Sequence, residues 1–131
     1  MTVLLLDPVA EYQQRGTAAL KKCRETVAQA QKAQKADGEG AVAKAFEAIN
    51  ETAPPRDEIA AFMTVNPRQA APLKALYGQL RECVRSADFV VVQVAHDSKA
   101  SDEEAQLNAY MLRYPNEPST KTVRDWLKKL K

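Results

Sequence analysis

The chain has one histidine, His96, and imidazole is the side chain best suited to move a proton near neutral pH. His96 closes an apolar stretch and is followed by Asp97 and Ser98, a grouping that could orient the ring. With Tyr77 added, His96 and Asp97 outline the only reaction centre the sequence suggests. A simpler reading is favoured, in which His96 ends a helix and its partial positive charge suits the negative end of the dipole. No serine sits in a nucleophile elbow, so acyl transfer has no anchor. The residue types point away from catalysis.

Metal and phosphate chemistry are equally poorly supplied. One histidine and two distant cysteines do not make a tetrahedral zinc set. The acidic residues Asp97, Asp102, Glu103 and Glu104 lack the glycine and spacing of a calcium loop, and helix capping accounts for them better. Gly38-Glu39-Gly40 carries an acid where a phosphate would sit, and the pattern before it is helical where a phosphate loop needs a strand. No cofactor is expected. Cys23 and Cys83 fall on apolar-periodic positions and are not spaced as C-x-x-C, so they read as two buried thiols in a reducing cytoplasm.

Two groups of basic residues could instead recognise a partner. From Met111 onward, Arg113, Lys121, Arg124, Lys128, Lys129 and Lys131 face only Glu117 and Asp125, a local charge of +4. A helix closed by Tyr114-Pro115, a short turn and a second helix over 119–130 look like a helix-turn-helix unit, whose second helix enters a major groove. Lys121, Arg124 and Lys128 would line its outer face, with Val123, Trp126, Leu127 and Leu130 turned inward. A plain helical hairpin that caps the domain explains the same residues and is favoured over DNA reading. The second group is Arg15, Lys21, Lys22, Arg24, Lys32 and Lys35 against Glu11 and Glu25, again +4, a face suited to an acidic protein surface.

The elements that must carry these residues are read from period. Val9, Tyr12, Gly16, Leu20, Cys23, Val27 and Ala30 recur every three or four positions, predicting a helix over 8–36 with Asp7 as its cap and Pro8 in its first turn. Gly16 would permit a close helix contact, and Asp37-Gly38-Glu39-Gly40 would end the helix. Val42, Ala45, Phe46 and Ile49 predict a short helix stopping before Pro54-Pro55, and Ile59, Phe62 and Met63 a second one starting there. Asn66-Pro67 reads as the start of a long helix over 67–97, striped by Leu73, Leu76, Tyr77, Leu80, Cys83, Val84, Ala87, Val90, Val91 and Val94.

As one rod that helix would be about 46 Å long, against a diameter near 36 Å for a compact domain of this size. A break, an elongated shape or a partner must resolve the mismatch. The β-branched run 89–94, with 2–6 as its mate, competes as a pair of strands, and helix is favoured. Ser101 and Glu104 predict a capping box ahead of Leu107, Tyr110, Met111 and Tyr114, and Ser119 or Thr120 caps the last helix.

The 131 residues carry 45% hydrophobic and 27% charged side chains with a net charge of +2, which fits one ordinary globular domain and by itself implies neither nucleic acid nor membrane. Residues 1–6 have no basic leader region and fall far short of the roughly 20 apolar residues of a membrane span. The expectation is a single all-α, cytoplasmic domain over 1–131. Its bundle, over 8–97, has two long antiparallel helices joined by a short helical pair, and a C-terminal hairpin over 101–131 packs on one end. The expected role is a non-enzymatic adaptor, inhibitor or regulatory subunit that binds a protein partner. The alternative is a small DNA-binding regulator, dimeric through its first helix.

Overall fold

The computed structural model describes residues 7–130; the strand considered at 2–6 and the terminal Lys131 lie outside them. The described chain is all-α, with helices α1 (Pro8–Ala33), α2 (Gly38–Val65), α3 (Lys74–Asp97), α4 (Glu103–Arg113) and α5 (Pro118–Leu130), and a short 3-10 turn at Ala71–Leu73. The run 89–94 is helix, in the C-terminal half of α3.

The first helix starts as its sequence dictates. Asp7 Oδ1 accepts from the Val9 amide at 3.0 Å with Pro8 in the first turn. Its stripe is buried, and Gly16 lies at a point where three helices meet. A Cβ built there would stand 2.7 Å from Leu76 Cδ2 and 3.0 Å from Ile59 Cδ1. The helix ends at Ala33 rather than 36, and the next glycines begin a helix instead of ending one. Asp37 caps α2 by accepting from the Gly40 amide at 3.0 Å.

The largest correction concerns Pro54-Pro55. The expected pair of short helices is one helix of 28 residues that runs through both prolines. Each proline removes an amide donor and crowds the carbonyl four residues back, which places the loss at Asn50 and Glu51, both on the exposed side. Water can serve those carbonyls. On the opposite side Ala41, Ala45, Ala48, Thr52 and Ile59 keep one buried line past the interruption, so packing outweighs local propensity.

Because the bridging element is one full-length helix, α1 and α3 are parallel, not antiparallel. Gly16 meets Leu76 and Cys23 meets Cys83, so residue numbers climb together along the two helices. The expected 67–97 rod is also broken. Asn66 closes α2, residues 67–70 form a turn, and α3 begins only at Lys74, after the 3-10 turn that holds Pro72. A 24-residue α3 spans about 36 Å, which the domain accommodates.

The two cysteines are joined. Cys23 and Cys83 form a disulfide between the centres of α1 and α3, with Cα atoms 6.4 Å apart. The reading of two separate thiols is therefore corrected, and the argument for a reducing compartment loses its premise. Neither residue type nor spacing could reveal the pairing, because it depends on the parallel register of two helices.

Two cores result. One is enclosed by α1, α2 and the Leu76–Leu80–Cys83–Ala87–Val90 side of α3. The other gathers Val92, Leu107, Tyr110, Tyr114, Val123 and Leu127 between α3 and the α4–α5 hairpin. Helix α3 belongs to both.

Candidate functional site

The second flank of α3 carries Arg85, Asp88, Phe89, Val92 and His96, spaced at three and four residues so that all face the hairpin. Arg85 donates to Tyr110 Oη at 3.0 Å and to Ser119 Oγ at 2.9 Å, while Glu82 grips the rest of the guanidinium. The Glu82 hydrogen bond holds the arginine proton above its ordinary range, against the opposing effect of burial. One turn on, Asp88 accepts from Tyr114 Oη at 2.5 Å and from Arg113 Nη1 at 3.1 Å. Burial, and then the Asp88 hydrogen bond, push the Tyr114 phenol well above its usual range. These groups fix the hairpin's position.

His96 is in the last turn of α3 as expected, and its ring does more than complement a dipole. It stacks on Trp126 of α5 with centroids 4.1 Å apart and planes at 11°, and Phe89 stacks on the same indole at 5.8 Å. Its Nδ1 lies 3.2 Å from Glu103 Oε1, and the Glu103 side chain is only 5% exposed. The capping box is thus corrected. Asp102 holds the cap position without a side-chain bond, and Glu103 turns inward to the imidazole. Ser119 and Thr120 do not cap either: Ser119 joins the Arg85 network, and Thr120 donates to the Tyr114 carbonyl.

Asp97 is exposed beside His96, but Tyr77 is not brought to it. Nineteen residues along one helix separate the two by about 28 Å. The three-residue reaction centre is therefore not assembled.

What the structure does assemble is an open groove of about 640 Å³ along the C-terminal half of α3. Its floor is Val91, Val94 and Ala95 of α3. One wall is Val42 and Phe46 of α2, and the other is Ala105 and Ala109 of α4. Phe46, expected on a buried stripe, is 47% exposed. Leu112, one turn beyond Ala109 on α4, is 84% exposed. Charges mark the ends, with Asp102 at the start of α4 and Arg113 at its close. In the α4 wall, Gln106 has a buried Oε1 without a hydrogen-bond partner among the described residues.

The basic faces are placed as expected, with different neighbours. On α1, Arg15 pairs with Glu58 of α2 at 2.5 Å and Lys22 with Glu51 at 3.2 Å, while Lys21 and Arg24 are exposed. Two of the six cations of that face are therefore answered inside the molecule. On α5, Lys121, Arg124, Lys128 and Lys129 are all exposed, and Asp125 interrupts the row. Arg113 belongs to the seam with Asp88 and not to that row. Leu130, expected inward, is 48% exposed. No helix among the described residues is long and apolar enough to cross a membrane.

No family model, curated protein or solved structure matches the chain.

The groove was hidden in the sequence for a simple reason. Val42, Phe46, Val91 and Val94 all continue helical stripes, and a stripe does not say whether a neighbouring helix covers it. The one available signal was that Phe46 lies well round the helix from the alanine line Ala41, Ala45 and Ala48.

Proposed function

We propose that the protein is a non-enzymatic interaction module, an adaptor, inhibitor or regulatory subunit, that engages a protein partner through exposed helix faces. The observation that carries this reading is the apolar groove between α2 and α4 with Phe46 half out of it. Concave, mostly apolar surface between helices is where partners and ligands preferentially bind. A photo-crosslinking phenylalanine analogue at position 46 tests it. The reading expects a crosslinked protein partner in the native host, lost when Ala109→Arg fills the groove. Labelling that is absent, or indifferent to Ala109→Arg, overturns it.

A DNA-binding role is the second reading, favoured by the exposed row Lys121, Arg124 and Lys128 along α5. It expects duplex retardation that falls steeply with salt and vanishes when all three are changed to alanine. Unretarded duplex at low salt removes it. As to compartment, the Cys23–Cys83 bond supports an oxidising environment over the cytoplasm that the sequence favoured.

A further inference from the structure

From the groove we infer the form of its occupant: an amphipathic helix of about three turns, its first turn basic and lying by Asp102, its last turn acidic and lying by Arg113. The inference rests on the interaction reading above and deepens it.

The first argument is backbone accounting. The groove is walled and floored by side chains of three helices, whose own amides and carbonyls are bonded along each helix. An extended peptide laid there would turn the N–H and C=O groups of its inner side onto apolar walls with no partners, each at a desolvation cost. A helix satisfies its backbone internally and presents only side chains. No strand exists among the described residues, so strand addition has no edge to use.

The second argument is shape. Helix α4 is 11 residues long, so the groove beside it extends about 16 Å, the length of three turns. Ala95, Ala105 and Ala109 keep its floor and one wall low, which lets a helix axis approach to the ordinary 8–10 Å. Phe46 on the opposite wall then serves as the ridge over which apolar residues at i, i+4 and i+7 interlock.

Charge sets the direction. The Asp102 end favours the positive N-terminus of a docked helix and a lysine or arginine in its first turn. The Arg113 guanidinium, whose side chain is 59% exposed while it holds Asp88, favours the negative C-terminus and a glutamate in the last turn. The occupant therefore runs parallel to α4.

The test uses the full-length protein and fluorescein-labelled 14-residue peptides in an anisotropy titration. The principal probe is an alanine-based helix with leucines at i, i+4, i+7 and i+11, lysines in the first turn and glutamates in the last. The expected result is saturable binding that weakens at least about tenfold with Phe46→Asp, an exposed position whose fold is checked by circular dichroism. A peptide with the two charged ends exchanged should bind several-fold more weakly, and a central proline should abolish binding. If the proline peptide binds as well as its parent, the helical occupant is wrong while the interaction reading stands. If the exchanged peptide binds equally, the direction is wrong. If no apolar peptide binds but the position-46 crosslink to a protein partner is still found, the helix falls and the groove remains an interface. If both fail, both readings fall.

Discussion

The two faces of α3 are held in opposite ways. Toward α1 and α2 it presents a run of aliphatic and small residues, closed by a disulfide and by the contact of Gly16 with Leu76 and Ile59. Toward the hairpin it presents a row of polar and aromatic groups, where Arg85 and Asp88 find hydrogen-bond partners on α4 and α5 and His96 lies between Trp126 and Glu103. The first interface needs only volume and periodicity. The second needs particular donors opposite particular acceptors, and removing one leaves its partner buried and unsatisfied. The bundle is thus tolerant in chemistry and strict in volume, and the hairpin the reverse.

The sharpest way to break the contrast is to cut the disulfide. The bond closes a loop over a sequence separation of 60, for which the chain-entropy relation gives about 4 kcal/mol of stabilisation. Reduction, or Cys23→Ala with Cys83→Ala, should lower unfolding free energy in denaturant titrations by about that amount. Hydrogen exchange should quicken throughout α1 and α3. An unchanged midpoint in reducing buffer would show that the bundle does not depend on the link.

Next in size is Gly16. Valine there forces two methyl groups against Leu76 and Ile59, where even a single added carbon lies at 2.7 Å and 3.0 Å from them. Overpacking of a well-filled core costs about 1–3 kcal/mol. The expected loss is about 2 kcal/mol by thermal or urea unfolding. If the contrast holds, pairing Gly16→Val with Leu76→Ala recovers part of it, since the clash is one of volume and not of chemistry. No recovery would mean that the glycine serves the backbone of α1 instead.

How much of this was readable beforehand divides along the same line. The buried residues of α1 were read almost one for one from spacing, since Val9, Gly16, Leu20, Cys23, Val27 and Ala30 form its core stripe. Period also decided α3 against the β-branched run at 89–94. What failed was local punctuation under tertiary load: Pro54-Pro55 passes inside a helix, while Pro72 breaks one. With α2 misread as two pieces, the directions of α1 and α3 came out reversed, and the disulfide could not be foreseen. At the hairpin, sequence alone makes Glu103 a capping acid and His96 a dipole complement. Their meeting depends on how α4 folds back, which no spacing in the sequence encodes. The groove belongs to the same class, because it is a surface left between elements and not a property of any one of them.

The mildest test addresses the polar face through Tyr114. Burial and its bond to Asp88 raise the phenol pKa in the folded state, while in the unfolded chain it stays near the ordinary value of about 10. A raised value means the folded state favours the protonated phenol. Its contribution is therefore complete below about pH 10 and is lost as pH climbs beyond that, when the unfolded chain ionises first. The melting temperature should fall as pH rises above about 10, and Tyr114→Phe should fall less over that interval. At neutral pH the same variant should lose about 1–2 kcal/mol, because Asp88 keeps only Arg113 as a donor. Equal alkaline losses in the two proteins would place the sensitivity in other groups, and the Asp88–Tyr114 pair would then be a passive contact, like those that hold the bundle.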